Sequence, residues 1–160
     1  MLETQFEHNE SSDRSVSSVT AYEQDFYAWT QEQANLLRLG QWRFLDIENL
    51  VEEIESLGRQ QKQGLRNRLG ILIGHLLKWD YQPELRCKSW MATIREQRDE
   101  ILEILQENPS LKPYLPEAIQ KGFRHGINLV LRETPLELSD LPTDCPYAIA
   151  QVLDPQFPPE

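Results

Sequence analysis

The segment richest in reactive side chains is 75–98, HLLKWDYQPELRCKSWMATIREQR, which holds one histidine, two tryptophans, a tyrosine and three arginines. Arginine binds carboxylates and phosphates in a bidentate geometry, and histidine exchanges protons near neutral pH. Tyrosine and tryptophan combine an apolar face with a polar group. The segment therefore predicts either a pocket for an anionic ligand or partner, or a helix corner locked by aromatic packing. In the second interpretation, Arg86, Arg95 and Arg98 pair with acidic residues of the helix predicted at 46–57.

The charge of the chain is divided unevenly along the sequence. The net charge is −10, but segment 58–98 carries nine Lys or Arg against three acids, so it has a charge of +6 and the rest has −16. The overall charge argues against general DNA binding. The basic segment leaves open a small anionic ligand, such as one containing phosphate, or RNA.

Motifs that would define a known chemistry are missing from the sequence. It contains no Walker A or G-x-G-x-x-G loop, no H-E-x-x-H, no C-x-x-C and no G-x-S-x-G. We therefore predict no cofactor and no metal, because the spacing of Glu52, Glu53 and His75 does not support a ligand set. Cys87 is interpreted as a structural thiol at or near the surface. The sequence does not decide whether the protein is an enzyme, although the missing motifs favour a non-enzymatic role.

Arg68 and His75 lie seven residues apart, about two helical turns, or about 10 Å along the axis. This spacing is similar to the loose Arg-x(4–6)-His pattern of the all-helical HEPN ribonucleases, in which these residues act on an RNA phosphodiester. The pattern usually has a polar residue after the arginine, whereas Leu69 follows here. A helical protein matches such a loose pattern often by chance, so RNA stays a weakly supported ligand.

Apolar residues recur at steps of three and four in the first half of the chain, which predicts helices. The first helix starts near Tyr22 and ends at Gly40, and Asp46 is predicted to cap the second. Gly58 predicts a break or kink in the second helix, and Pro83 ends it near Tyr81. The apolar stripes that define these helices are Tyr22, Phe26, Trp29, Gln33 and Leu36; Ile47, Leu50, Ile54 and Leu57; and Leu65, Leu69, Leu72, Leu76 and Trp79.

The same periodicity continues in the second half. Ser89 is predicted to cap a third helix that ends at Asn108-Pro109, and a fourth begins near Pro113 or Pro116. Gly122 and Gly126, four residues apart, predict a close approach to another helix. A short helix is predicted between the prolines after residue 135. The stripes are Trp90, Ile94, Gln97, Ile101 and Leu105, and then Leu115, Ile119, Phe123, Ile127 and Leu131.

These elements predict an all-α, single-domain antiparallel helical bundle of four to five main helices with a short C-terminal helix. Residues 1–20 are acidic and Ser-rich and predict a disordered tail, so the bundle domain is assigned to 21–160. No strand pattern, signal peptide or membrane-length apolar run is found. We therefore expect a cytoplasmic protein that does not enter a membrane.

The chain resembles a bacterial, largely cyanobacterial family known as domain of unknown function number twenty-nine. The resemblance rests on YEQDFYAW, ENLVEEIESLG, segment 75–98 quoted above and CPYAIAQVLDPQFP, which occur in the family's order. One departure is Asp80, where the family pattern is expected to have Gln. The resemblance implies an all-helical fold and no known activity. The matching signature positions are Glu52, Glu53, His75, Trp79, Tyr81, Arg86, Ser89, Trp90, Thr93 and Arg95.

From these observations we predict a small helical protein-interaction module that binds a protein partner, and a regulatory role is one option for it. A homo-oligomer is also compatible with the sequence. The alternative is an enzyme or a binder of a small anionic, phosphate-containing ligand or RNA, with a polar pocket near 75–98. In either case the candidate binding residues are Glu52, Glu53, His75, Tyr81, Arg86, Trp90 and Arg95.

Overall fold

The computed structural model describes residues 22–158, and within this range it contains α-helices, short 3-10 helices and no strand. The all-α prediction is therefore confirmed. The predicted tail, residues 1–20, lies outside the described residues. The described residues divide into two compact units, one up to residue 58 and one from residue 59 onward. In the described part of the chain, no helix combines the length and the apolar character needed to cross a membrane.

The first unit is built around helix α1, Phe26–Arg38. Asp25 caps this helix by accepting a hydrogen bond from the Ala28 amide, and Gly40, with φ of 66°, follows its end. Trp29 is buried and stacks edge-on against Tyr22, with ring centroids 4.8 Å apart. The predicted end of the helix at Gly40 is confirmed, because a positive φ is accessible to glycine at little cost.

Asp46 connects α1 to the next helix within this unit. It is buried, and its carboxylate accepts hydrogen bonds from the Trp29 indole at 3.1 Å and the Asn49 side chain at 2.7 Å. Its backbone amide donates to the Gln33 side chain at 2.8 Å. The Asn49 amide also donates to Asp46 at 3.4 Å, so the predicted capping role is confirmed.

Helix α2, Ile47–Tyr81, is 35 residues long and extends from the first unit into the second. At 1.5 Å per residue it is about 50 Å long. The predicted break at Gly58 is wrong, since the helix continues through that residue. A glycine in a helix costs only about 1 kcal/mol relative to alanine. Because most of the surrounding residues favour a helix, the helix continues through Gly58 despite this small cost.

The second unit contains the core of the protein. It comprises the C-terminal part of α2, helix α3 (Lys88–Glu107), helix α4 (Leu115–Glu133) and the short helix α5 (Ile149–Leu153). The predicted stripe from Leu65 to Trp79 is buried, as are Ile94 and Ile101 of α3. Each side chain of this kind contributes roughly 1.5–3 kcal/mol when it leaves water.

Two pairs of glycines allow α2 and α4 to pack closely. A Cβ built on Gly126 would lie 2.9 Å from the Gly74 amide nitrogen, and one on Gly122 would lie 2.9 Å from the Leu69 Cβ. The predicted close helix approach at Gly122 and Gly126 is confirmed, and its partners are Gly70 and Gly74. These positions need glycine because backbone and side-chain atoms of the facing helix occupy the space of a side chain.

Segment 141–158 closes the second unit. Leu141, Tyr147 and Val152 belong to its apolar core. Arg98, which the sequence predicts to pair with the acidic helix, is instead buried, and its Nε donates to the Val152 carbonyl at 2.9 Å. Burial lowers the pKa of Arg98 below its ordinary value. The arginine lies on the face of α3 that α5 covers, and charge alone did not indicate this position.

Candidate functional site

A cavity of about 510 Å³ lies at the corner between α2 and α3. Its lining comprises three cations (Arg86, Lys88 and Arg95), three apolar groups (Trp79, Met91 and Ala92) and the Cys87 thiol. Volumes of roughly 300–1,000 Å³ are typical of small-molecule sites. The segment 75–98 therefore forms a concave surface and is not only a filled helix corner.

Arg86 is held in place by the end of α2. Helix α2 stops at Tyr81, and a 3-10 turn over Pro83–Leu85 reverses the chain. The Arg86 Nε then donates a hydrogen bond to the Trp79 carbonyl at 2.9 Å. Its guanidinium lies over the Trp79 indole, 5.0 Å from the ring centroid. These contacts fix a cation and an aromatic group together in one wall of the cavity.

Helix α3 supplies four of the seven lining residues. It begins at Lys88 with Cys87 as its N-cap, so the predicted cap at Ser89 is wrong by two residues. Cys87 takes the extended backbone that an N-cap needs, with φ of −147° and ψ of 161°, whereas Ser89 is already helical. Steps of three, one and three residues place Lys88, Met91, Ala92 and Arg95 along one side of α3.

The start of α3 also contributes a positive potential. The Cys87 side chain makes no capping hydrogen bond, and the first turn contains no acidic residue. Helix N-termini carry a partial positive charge from unpaired backbone N–H groups. This potential adds to the charge of Lys88 and Arg95. None of the seven described residues that line the cavity is acidic.

His75 and Trp90, two of the candidate residues, are not in the cavity lining. The His75 Nδ1 lies 2.9 Å from the Ile71 carbonyl oxygen, within its own helix. Burial lowers the pKa of His75 below its ordinary value, so the neutral ring is favoured. Trp90 is half-buried and lies under the Lys78 ammonium, 4.4 Å from the ring centroid. Both residues serve packing and local electrostatics in this structure.

Lys78 is a buried cation whose charge is matched by a carboxylate on α4. Its Nζ lies 2.9 Å from the Glu133 Oε2, and its side chain is 7% exposed. The hydrogen bond from Lys78 lowers the pKa of Glu133. Other basic residues of segment 58–98 are also engaged, since Arg68 pairs with Glu100 at 3.0 Å and Arg66 donates to the Tyr114 hydroxyl.

Tyr81 is also outside the lining and is partly exposed. The neighbouring Asp80, where the family pattern was expected to have Gln, accepts a hydrogen bond from the Tyr147 hydroxyl at 2.8 Å. Burial and this bond raise the pKa of Tyr147. Asp80 therefore has a structural role, because it fastens segment 141–158 to the end of α2.

Glu52 and Glu53 lie in the first unit. Glu53 accepts a hydrogen bond from the Tyr22 hydroxyl, and this bond raises the pKa of Tyr22 to about 12. Glu52 is exposed. Both residues belong to the first unit, whereas the residues that line the cavity belong to the second.

An exposed apolar stripe accompanies these acids on the N-terminal part of α2. Ile47, Val51, Ile54 and Leu57 follow at steps of four, three and three residues and are 57%, 49%, 67% and 62% exposed. Glu48, Glu52 and Glu55 each follow one of these residues and form an adjoining acidic row. We call these seven residues the acidic-apolar surface. The predicted stripe of Ile47, Leu50, Ile54 and Leu57 lies on a helix, but all of its members except the half-buried Leu50 are exposed, so it is not a core face.

Of the seven candidate residues, the structure brings Arg86 and Arg95 together in the cavity. Sequence reasoning missed Lys88, Met91 and Ala92 as lining residues. Their helical spacing relative to Arg95 was a usable signal once a helix was placed at this position. Sequence reasoning also missed Val51, which is part of the acidic-apolar surface.

Metal ligation has no support in the described part of the chain, where no group of three or more His, Cys, Asp and Glu could hold an ion. The helices, the cavity and the acidic-apolar surface define an all-α protein with two candidate binding surfaces. The model of the family described as "Domain of unknown function DUF29" matches residues 21–158. The chain belongs to this family, which confirms the resemblance. Searches of curated proteins and of solved structures gave no significant match.

Proposed function

We propose that the protein is an interaction module that binds another protein through the acidic-apolar surface. The observation that carries this proposal is the exposure of four apolar side chains along one face of α2. Soluble monomeric proteins rarely expose contiguous apolar patches larger than a few hundred Å², and larger patches commonly mark binding sites. Further large apolar side chains of the first unit are exposed, including Trp42 at 65% and Tyr27 at 74%.

Charge indicates the chemistry of the partner. Residues 22–58 contain eight acidic side chains against Arg38 and Arg43, a net charge of −6. A second copy presenting the same surface would bring like charges together, which is unfavourable. The bound segment is therefore a basic amphipathic helix of a different protein. Its apolar residues cover the stripe, and its Lys or Arg side chains face the row of Glu48, Glu52 and Glu55.

The test uses two synthetic amphipathic helices of about five turns with identical Leu positions. One carries Lys beside the apolar face and the other carries Glu, and fluorescence anisotropy measures binding to the full chain. We expect the Lys peptide to bind at least about tenfold more tightly, since charge complementarity favours one peptide and opposes the other. Added salt should reduce this difference.

Leu57→Ser tests where the peptide binds, and Leu138→Ser is the matched control. Leu57 is 62% exposed and Leu138 is 66% exposed, so both changes remove an exposed leucine of similar accessibility. We expect Leu57→Ser to weaken binding about tenfold, because burial of a leucine contributes roughly 1.5–3 kcal/mol. Equal affinities for both peptides, or an equal effect of both variants, would overturn the proposal. So would a homodimer in solution that Leu57→Ser converts to a monomer.

A second candidate function is the binding of a small anionic ligand, and the cavity lined by Arg86, Lys88 and Arg95 favours it. RNA, which the sequence also left open, needs an extended basic tract for its phosphates. Here Arg68 and Lys78 are paired with carboxylates and Arg98 is buried. Three of the nine cations of segment 58–98, namely Arg86, Lys88 and Arg95, line this one cavity, and such a local cluster suits a small molecule better than a nucleic acid.

A further inference from the structure

The cavity at the α2–α3 corner has a divided lining that restricts the kind of anion it can hold. Lys88, Arg95 and the start of α3 supply positive charge, whereas Trp79, Met91 and Ala92 supply apolar surface. We propose that this cavity binds an organic monophosphate or carboxylate joined to a flat apolar body. This inference rests on the second candidate function and is independent of the acidic-apolar surface.

Positive charge comes from more than one direction. Lys88 and Arg95 stand seven residues apart on α3, two turns along the same face, and Arg86 projects from the preceding turn. Arg86 is oriented by its hydrogen bond to the Trp79 carbonyl. An anionic group among these side chains gains charge-assisted hydrogen bonds, which are roughly twice as strong as neutral ones.

The apolar part of the lining explains why inorganic phosphate alone would leave the site incompletely filled. Trp79 is only 9% exposed, so the apolar surface open to a ligand comes mainly from the exposed Ala92 and the half-buried Met91, a flexible, polarisable side chain that adapts to flat groups. A cavity of about 510 Å³ is also much larger than one small ion requires. An attached aromatic body would cover these groups and remove their apolar surface from water.

Isothermal titration calorimetry with three probes tests the ligand class. 2-Naphthyl phosphate has both features, inorganic phosphate has only the charge and 2-naphthol has only the apolar body. We expect 2-naphthyl phosphate to bind at least about tenfold more tightly than either of the others. If phosphate binds as well as 2-naphthyl phosphate, the cavity is an anion site and the inferred apolar body is wrong. If none of the probes binds, both the inference and the second candidate function fail.

Two variants locate the site. Lys88→Gln should weaken 2-naphthyl phosphate binding several-fold, whereas Lys112→Gln, the same change at an exposed residue that does not line the cavity, should leave it unchanged. Ala92→Phe should abolish binding by filling the cavity. Ala92 is exposed on α3, so circular dichroism is expected to show a folded variant. Undiminished binding in Ala92→Phe would exclude this cavity as the site.

Cys87 provides a readout that needs no substitution. Its exposed thiol is in the lining, whereas Cys145 is partly buried elsewhere and serves as an internal reference. Alkylation by iodoacetate or by iodoacetamide forms the same S–C bond with loss of iodide, so their rate ratio reports the local potential. We expect Cys87 to favour the anionic reagent relative to Cys145, and 2-naphthyl phosphate to slow its alkylation. If the ratio of the iodoacetate rate to the iodoacetamide rate is the same for Cys87 and Cys145, the cavity has no positive potential and the proposed anion binding is wrong.

Discussion

Alanine at position 126 would test the close crossing of α2 and α4, which holds the second unit together. Its Cβ would lie 2.9 Å from the Gly74 nitrogen, 3.1 Å from the Gly70 oxygen and 3.3 Å from the Gly74 Cα. All three neighbours are backbone atoms of α2. A rotation of a side chain cannot relieve these contacts, so the two helices must move apart.

The expected magnitude is a difference between two opposing effects. Alanine is more favourable than glycine in a helix interior by about 1 kcal/mol. Overpacking of a close-packed interior costs about 1–3 kcal/mol, and a clash with backbone belongs at the upper end. We therefore expect Gly126→Ala to lower the free energy of unfolding by about 2 kcal/mol. For a slope of about 2 kcal/mol/M, the urea midpoint would fall by about 1 M.

Gly64→Ala is the matched control on α2. A Cβ at Gly64 meets nothing within 4 Å, so only the helix propensity changes. Its free energy of unfolding should rise by about 0.5–1 kcal/mol. The assay is urea unfolding followed by circular dichroism, with both variants compared with the wild type. The reasoning is refuted if Gly126→Ala unfolds at the same urea concentration as the wild type, or at a higher one.

Two further predictions concern buried charge in the second unit. Burial lowers the pKa of His75, so the unfolded chain binds the proton first and stability falls as the pH drops below about 6.5. Urea unfolding at about pH 7.5 and about pH 5.5 should show a smaller loss in His75→Gln than in the wild type. An equal loss in His75→Gln and the wild type would contradict the prediction. Glu133→Gln removes the carboxylate that pairs with Lys78 and should cost about 1.5 kcal/mol near neutral pH. Because the pKa of Glu133 is lowered in the folded state, this cost should shrink as the pH falls below 4.5, and a constant cost down to lower pH would argue against the ion pair.

Much of the fold was predictable because local signals determine helix boundaries. Pro83 and Gly40 end helices by restricting or permitting particular backbone angles, and Asp46 caps α2 through its short acceptor side chain. The stripe from Leu65 to Trp79 is buried as its period indicates. The stripe from Ile47 to Leu57 has a similar period and is exposed. Periodicity shows that a helix has an apolar face, but it does not show what covers that face.

The candidate site was predictable to a smaller extent. Arg86 and Arg95 were identified because charge and aromatic content concentrate around them, and both line the cavity. The role of Lys78 depends on Glu133, which lies 55 positions away in the sequence, and Arg98 depends on a carbonyl 54 positions away. Such pairings arise from the tertiary packing of helices. A local pattern of residue types cannot distinguish a cation buried in an ion pair from one that faces a cavity.

The contacts of segment 141–158 indicate an order in which the parts of the second unit fold. The Tyr147–Asp80 and Arg98–Val152 hydrogen bonds join residues 67 and 54 positions apart, whereas the helices that they cover form through local contacts. The helices α2, α3 and α4 precede this segment in the sequence and can pair before it docks. Until residues 141–158 dock, Arg98 lacks its carbonyl partner, and the apolar groups that Val152 covers remain exposed to water. The docking of residues 141–158 is therefore the step that removes this apolar surface from water and gives Arg98 its carbonyl partner.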